Sequence, residues 1–354
     1  MLRWPGLLLA LLLQAQAVGS EGEGRGYLTF YLDNDLFAGT DRNYTNGVRL
    51  SWISEGEPLF NFAPAKGFLE DLISEPDWLA RFGLLSGFNP DKVQEGKLEF
   101  NYGLSLTQLM FTPEDFESPT QPIGERRYAG WLGLGFSVHA RDEKAINSAE
   151  IILGTTGSWS LAKEAQDLIH DIRDIERFEG WGDQIPNEIT LDFSFLQKRR
   201  ATFLPDGPRG LRADGLFEWG TRLGTFRTGA RLGGFFRLGF NLPADFSDPR
   251  LSALAYSHRY FGSDKGRGRD WSAYLLFGLT GNAILHDATL DGPLFRSFDT
   301  GNTREPWVGD LFAGFGLRWR IVEFSYVHTW RSREFKEKAS GGFDFGSLAI
   351  RVQL

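Results

Sequence analysis

The chain has 354 residues and a formal net charge of −8, from 38 Lys and Arg against 46 Asp and Glu, and it has no cysteine. Acidic and basic residues are interspersed along it, so nucleic acid is not expected as a partner. Without cysteine, no disulfide framework can hold the fold together. The 43 Gly, 31 Phe, 11 Trp and 9 Tyr residues are the more informative part of the composition.

Residues 1–17 have the features of a signal peptide. Arg3 supplies a positive start, Leu7 to Leu13 an apolar stretch, and Ala15-Gln16-Ala17 a small-residue cleavage site. After this segment, no apolar run is long enough to cross a bilayer as a helix. The sequence therefore predicts an exported protein without a transmembrane helix.

The first predicted element of the mature chain is a β-hairpin. Apolar residues alternate with others over 27–32 and again over 48–52, which is the period of a β-strand. Between these strands lies an acidic, amide-rich segment that begins with Asp33-Asn34-Asp35. Such residues are favoured in turns, where their side chains bond nearby backbone. Three of them at the end of a strand also indicate a site at the rim of a sheet, and both interpretations remain open at this point.

Alternation continues through most of the remaining chain. The later predicted strands are 97–109, 128–140, 145–153, 189–196, 215–223, 228–240, 271–285, 308–319, 322–330 and 346–354. Within 128–140, one face is apolar and the other carries Gly, Ser and His, which suits a wet lumen better than the core of a soluble β-sandwich. Residues 18–354 are therefore predicted to form an all-β transmembrane antiparallel barrel of about twelve strands.

Three stretches interrupt the strands. Residues 55–95 contain amphipathic helical pieces and are predicted to form a periplasmic insertion, while 239–270 cannot be assigned. Residues 156–188 are predicted to be an extracellular loop, in which apolar residues recur at helical spacing. If the apolar stripe of this helix lies against the wall or the membrane, His170 turns towards a cleft.

The signatures of many hydrolases are absent from the sequence. It has no G-x-S-x-G elbow, no P-loop and no H-E-x-x-H zinc helix. Of the 5 histidines, His170 is the one that stands among acidic and amide residues in a predicted loop. This placement makes His170 the strongest candidate for a functional histidine.

Several motifs together resemble the LpxR family of outer-membrane lipid A 3′-O-deacylases. They are Asn34-Asp35-Leu36-Phe37, Asp41-Arg42-Asn43-Tyr44-Thr45-Asn46-Gly47, Phe111-Thr112-Pro113, Arg127-Tyr128-Ala129-Gly130-Trp131-Leu132 and Gln166, His170, Gly180-Trp181, Gln184 and Asn187-Glu188. The resemblance covers nearly the whole mature chain. It implies a twelve-stranded barrel in the outer membrane of a Gram-negative bacterium. The implied activity is Ca²⁺-dependent hydrolysis of the 3′ acyloxyacyl ester of lipid A in the outer leaflet, at a site between the barrel wall and a loop helix.

The resemblance also implies roles for individual residues. His170 would be the general base that takes a proton from water, and Asn34 and Asp35 match the catalytic Asn-Asp pair of the family. Ca²⁺ would be held by Asp35 and Glu176, which ties the loop helix to the first strand. Thr45 is the candidate for a hydroxyl residue near the site. Where the usual form in the family is Asp-Arg-Pro-Tyr, this chain has Arg126-Arg127-Tyr128, and the two arginines could bind a lipid A phosphate.

Two other functions remain open from the sequence. An outer-membrane phospholipase would use a serine nucleophile, either Ser51 or Ser54, although neither has the sequence context of an activated serine. A porin-like barrel would have no activity and would tolerate loss of His170. In each case the chain is expected to be membrane-embedded and monomeric, and lipopolysaccharide is the expected partner only of the deacylase.

Overall fold

The computed structural model describes residues 26–35, 46–55, 57–58, 84–88, 98–115, 117–122, 124–174, 176–204, 210–243, 245–246, 248–251, 270–338 and 341–354. The predicted signal peptide, Thr45 and most of the 55–95 insertion lie outside these ranges. Among the described residues, no helix is both long and apolar enough to span a membrane.

In the described ranges, 13 strands form one antiparallel sheet that closes on itself. They are β1 (Tyr27–Asn34), β2 (Asn46–Ile53), β3 (Glu57–Pro58), β4 (Glu99–Phe111), β5 (Ala129–Arg141), β6 (Ala145–Thr156), β7 (Ile189–Leu204), β8 (Leu211–Gly224), β9 (Arg227–Phe240), β10 (Trp271–Asp287), β11 (Trp307–Trp319), β12 (Val322–Arg331) and β13 (Phe343–Gln353). Pairing of β1 with β13 and of β2 with β4 closes the ring. The two-residue β3 pairs with the start of β4 beyond the end of β2. The barrel thus has 12 full strands, and the predicted fold is confirmed.

The wall has an apolar outer face and a polar inner one. On β5, Leu134 and Phe136 are exposed on the outer face, whereas Ser137 and His139 are buried on the lumen face. Both ring nitrogens of His139 contact hydroxyl groups, at 2.8 Å from Ser148 Oγ and 3.1 Å from Ser137 Oγ. This inversion of the usual pattern is typical of a barrel whose outer surface faces lipid.

The lumen is filled by paired charges. Arg49 donates to Glu150 at 2.7 Å, and Arg351 donates to Glu323 at 2.8 Å, in both cases between buried side chains. Such pairing is required because a buried charge without a partner is strongly destabilising. Two internal cavities have volumes of only about 10 Å³ each, room for about one water molecule.

The first, described part of the connection between β9 and β10 lies in the lumen. Asp245 binds Arg237 at 2.5 Å, Phe246 packs among inward-facing residues, and Asp248 binds Arg250 at 2.7 Å. The Leu251 N–H then contacts Asp33 Oδ1 at 3.5 Å, close to the end of β1. We call the described residues of 242–251 the lumen segment. They place part of the stretch 239–270, which the sequence left unassigned.

The two ends of the barrel differ. At the end where β1 finishes, which we call the site end, the β6–β7 connection carries α1 (Ala162–Arg173), and the short helix α2 (Ala288–Asp291) follows β10. At the opposite end, Asn147 Nδ2 donates to the carbonyl oxygens of Leu84 and Ser86, at 2.8 Å each. The described part of the 55–95 insertion therefore lies away from α1.

Candidate active site on the outer wall

The candidate site lies on the outer face of the barrel at the site end. Asn34 pairs with Asn46, Asn46 with Met110, and Met110 with Gly130. Directly opposite residues in an antiparallel sheet point to the same face, and this row alternates with the buried lumen residues of each strand. The two asparagines are therefore side by side on the outer wall. Asn46 is one strand away from Met110 and two from Gly130, and Asn34 is one strand further from each.

The start of α1 rests on this row through a close approach to Gly130. A Cβ at this position would lie 2.6 Å from Ala162 Cβ and would also collide with Ser160 Oγ. Gln108 Nε2, on the neighbouring strand, donates to the Ser160 carbonyl oxygen at 2.7 Å. The absence of a side chain at Gly130 is thus what allows α1 to contact the wall.

An apolar cluster holds the rest of the loop in place. Met110 of β4 and Tyr128, directly before β5, pack with Ala162, Phe178 and Trp181 of the β6–β7 loop. The Tyr128 and Trp181 rings are 5.1 Å apart. Burial raises the pKa of the Tyr128 phenol to about 12. These contacts attach the loop to the outer face of β4 and β5.

The face of α1 that is turned to the wall is polar. Its buried residues are Ala162, Gln166 and His170, which are spaced one turn apart. Trp181 Nε1 donates to Gln166 Oε1 at 2.6 Å, so the amide is satisfied by a residue that returns to the wall after the helix.

His170 is fixed by the chain that follows the helix. Asp174 ends α1 in the left-handed conformation, with φ of 55°, which reverses the chain. Glu176 is thereby placed so that its carbonyl oxygen lies 2.6 Å from His170 Nδ1, and Phe178 packs edge-on against the imidazole at 4.9 Å. Because a carbonyl oxygen only accepts, Nδ1 carries the proton and Nε2 of the neutral ring has a lone pair to offer. Within the described residues, Nε2 has no hydrogen-bond partner.

An exposed ion pair holds the same reversal of the chain. Arg177 donates to both carboxylate oxygens of Asp171, at 2.9 Å and 2.6 Å. These hydrogen bonds hold the pKa of Asp171 below its ordinary value. The residues that follow α1 are thus held beside its last turn from both sides.

Carboxylate and amide side chains lie together at the end of β1 and the start of β2. Asp35 is buried directly after β1, and Asn34 is half-buried on the outer face. Asn46 Oδ1, from the residue opposite Asn34, is buried and has no hydrogen-bond partner in the described structure. Carboxylate and amide oxygens are ligands that Ca²⁺ accepts, and an oxygen without a donor suits a cation. The side chains at this end of β1 and β2 therefore fit the ion.

Glu176, the other predicted Ca²⁺ ligand, contacts His170 through its backbone carbonyl oxygen. Its side chain, which would have to bind the ion, is exposed. Among the described residues, no group of three or more His, Cys, Asp or Glu side chains is arranged to hold a metal ion. Any oxygen site here would consequently depend on amide or backbone oxygens as well as on carboxylates.

The two predicted phosphate-binding arginines have different environments. Arg126 is fully buried; it donates to Glu334 at 2.9 Å and to Thr289 at 2.8 Å, and its guanidinium lies over the Phe111 ring. This position joins loops at the site end and does not face the outer surface. Arg127 is partly exposed and donates to Asp183 at 2.5 Å, in the same loop as Trp181.

Neither serine of the phospholipase alternative lies beside α1 on the outer wall. Ser51 is buried on the lumen face of β2, and Ser54 Oγ accepts from the Tyr102 N–H at 3.1 Å.

Asn46 and Gln166 were not predicted as site residues, although both belong to motifs that resemble the family. Asn46 could have been found, because a symmetric pairing of the predicted hairpin places it opposite Asn34 on the same face. Gln166 precedes His170 by one helical turn, but its partner Trp181 comes 15 residues later, and no local spacing predicts that contact.

The fold and the site define an outer-membrane β-barrel with a loop helix packed on its outer wall. The model of the family described as "Outer membrane protein LpxR" matches residues 6–354, and the chain belongs to that family. None of the curated proteins matches the sequence.

Among solved structures, the chain is similar to LpxR from Salmonella typhimurium, with a TM-score of 0.68 and 15% sequence identity over 93% of this chain and 100% of that chain. It is also similar to the β domain of the Bordetella autotransporter BrkA, with a TM-score of 0.43 and 10% identity over 94% and 100% of the two chains. The first likeness establishes the shared fold. The family and the closed barrel place the protein in the outer membrane.

Proposed function

We propose that the protein is a Ca²⁺-dependent lipid A 3′-O-deacylase, which hydrolyses the ester of the 3′ acyloxyacyl chain of lipopolysaccharide in the outer leaflet. Membership of the LpxR family supports a lipid A deacylase. The observation that carries the mechanism is the orientation of His170, whose Nδ1 is bound to the Glu176 carbonyl oxygen beside the outer wall. All residues of the proposed site come from one chain, so a monomer suffices.

The length of α1 is close to the distance across the wall from Gly130 to Asn34, as a site between the helix and the wall requires. From Ala162 to His170, α1 advances about 12 Å. From Gly130 to Asn34, the wall extends over three strand spacings, about 14 Å. Because α1 begins over Gly130 and also contacts β4, we infer that its axis leads across the strands towards β2 and β1. His170 then faces the outer row near Asn34.

The protein supplies the base for the reaction. Nε2 of His170 takes a proton from a water molecule as the water oxygen attacks the ester carbonyl carbon. When the tetrahedral species collapses, the bond from carbon to the sugar oxygen breaks, and the imidazolium returns the proton to that oxygen. The products are a free carboxylic acid and a hydroxyl group on lipid A. The hydrogen bond to Glu176 stabilises the ring in both protonation states, because Nδ1 remains a donor throughout.

Residues at the end of β1 would supply the electrostatic contribution to catalysis. Asp35, with amide oxygens of Asn34 and Asn46, would hold Ca²⁺, and the bound ion would polarise the ester carbonyl. Glu176 stays a candidate ligand through its exposed carboxylate, and Thr45 stays a candidate hydroxyl residue. Arg127 is the proposed partner of a lipid A phosphate, and Arg126 is assigned instead to holding the loops.

His170→Asn tests the base. Turnover should fall by roughly a hundred- to ten-thousand-fold, the usual contribution of a general base, while the protein keeps the heat-dependent gel mobility of a folded barrel. The assay is mass spectrometry of lipid A from cells that express each variant. His286→Asn is the matched control, because His286 also contacts a backbone carbonyl oxygen, that of Thr225 at 3.0 Å, but belongs to β10. Full activity of His170→Asn would exclude the mechanism.

Removal of calcium tests the metal. The chelator EGTA should abolish deacylation by the purified protein, and added Ca²⁺ should restore it. Asn46→Ala should raise the Ca²⁺ concentration needed for half-maximal activity, because it removes a buried oxygen that lacks a donor. Deacylation at the full rate in excess chelator would refute the calcium part of the proposal.

A further inference from the structure

Helix α1 has three faces instead of the usual two. Successive residues are about 100° apart around a helix, which places Ala162, Gln166 and His170 on the face buried against the wall. A second face carries charges, including the ion pair between Lys163 and Asp167. The third face is apolar and is turned away from the wall.

The apolar face is exposed along the whole helix. Leu161, Leu168 and Ile172 are 53%, 59% and 53% exposed, and Trp159 of the preceding turn is 53% exposed. A helix on a water-soluble protein normally turns such a stripe to the core. Here the buried stripe contains Gln166 and His170 instead, and more than half of the surface of each apolar side chain is exposed.

The exposed face continues the apolar surface of the barrel. The β6 strand runs directly into the turn that contains Trp159 and then into α1. Below that turn, Leu153 of β6 pairs with Leu134 of β5 on one side and with Leu191 of β7 on the other, and all three are exposed on the outer face. This outer surface of an outer-membrane barrel contacts lipid acyl chains. A tryptophan at the upper edge of such a surface is typical of the membrane interface.

We propose that α1 lies within the leaflet that surrounds the site end, with Trp159, Leu161, Leu168 and Ile172 among lipid acyl chains. Its charged face is then level with the lipid headgroups and water, and its polar stripe faces the wall. The occupant of the apolar face is the surrounding lipid, because this face is continuous with the barrel surface that lipid already covers. The helix is therefore held at a fixed depth by three different environments, independently of any reaction at His170.

Spin labelling can test this arrangement because the chain has no cysteine. Single variants Leu168→Cys and Lys163→Cys would each carry a nitroxide, with Leu134→Cys as the reference for a lipid-facing position on the wall. Positions 163 and 168 differ by about 140° around the helix. The proteins would be studied in vesicles of phosphatidylethanolamine and phosphatidylglycerol. Collisions of each label with oxygen, which concentrates in lipid, and with a water-soluble nickel complex are then measured.

The ratio of oxygen to nickel collisions at position 168 should match that at 134 and exceed that at 163. If position 168 collides with the nickel complex as often as 163 does, α1 lies in water and the proposal is wrong. If position 168 is shielded from both reagents, another protein surface or a second copy covers the face, which also overturns it. None of these readouts depends on deacylation, so failure of the proposed function would leave this test intact.

Tryptophan quenching gives a second measurement if a cysteine variant does not fold. Lipids brominated near the carbonyl end of the acyl chain should quench less fluorescence in Trp159→Phe than in the parent protein. The control is Trp131→Phe, which removes a fully buried tryptophan on the lumen face of β5 and should leave the quenched fraction unchanged or higher. Equal quenching in the parent and in Trp159→Phe would place Trp159 outside the lipid and contradict the proposal.

Discussion

Gly130→Ala should lower deacylation about a hundredfold without unfolding the protein. The added Cβ would lie 2.6 Å from Ala162 Cβ, whereas carbon atoms pack at about 3.5–4.0 Å, so one side must withdraw by about 1 Å. β5 is paired on both sides in the barrel wall, so the displacement falls on α1. A shift of about 1 Å in a catalytic group can lower the rate about a hundredfold. We expect a loss of this size in lipid A deacylation, measured by mass spectrometry.

The control for this experiment is Gly182→Ala, in the same loop, where an added Cβ would meet nothing within 4 Å. This variant should retain activity. A second variant, which combines Gly130→Ala with Ala162→Gly, removes the closest carbon and should recover part of the lost rate. Wild-type activity in a folded Gly130→Ala protein would refute the idea that contact at Gly130 sets the position of His170.

Two further predictions concern the attachment of the loop to the wall. Trp181→Phe leaves the buried Gln166 Oε1 without its donor, which should weaken the attachment of the loop by about 1–3 kcal/mol. Proteases should then cleave the chain between β6 and β7 faster than in Trp159→Phe. Equal cleavage rates in the two variants would contradict this prediction. Burial raises the pKa of Tyr128 from 10.0 to about 12, so its stabilising contribution is complete below pH 10 and is lost as the pH rises through about 12. A tyrosinate absorbance titration should show a late-ionising group that is missing in Tyr128→Phe, and identical titrations of the two proteins would show that Tyr128 is not protected.

The barrel could be predicted from sequence because its wall residues face two environments, which imposes a period of two. The predicted strand 128–140 differs from β5 by one residue at each end. The prediction was less accurate for β7, which extends to Leu204 instead of ending at 196. The charged run that begins at Lys198 hid this extension. Lys198 points into the lumen and pairs with Glu218 at 3.3 Å, a contact that the pattern of one strand cannot reveal.

The site could be predicted in outline but not in its arrangement. Spacing predicted the loop helix, and it left open whether the apolar stripe lies against the wall or the membrane. The structure turns the polar stripe to the wall, because Trp181 and Glu176 return along the chain to bond Gln166 and His170. The sequence also could not separate the roles of two adjacent arginines. Arg126 is buried by partners 163 and 208 residues away.

The seam between β1 and β13 determines when this protein can fold. Tyr27 pairs with Gln353, so the ring cannot close until nearly the whole chain is present. The lumen segment adds a hydrogen bond between residues 218 positions apart, from Leu251 to Asp33. Contacts of such high sequence separation form slowly. Until they form, the unpaired edges of β1 and β13 are open to pairing with other chains. The period between export and closure is therefore the stage at which this protein is most exposed to aggregation.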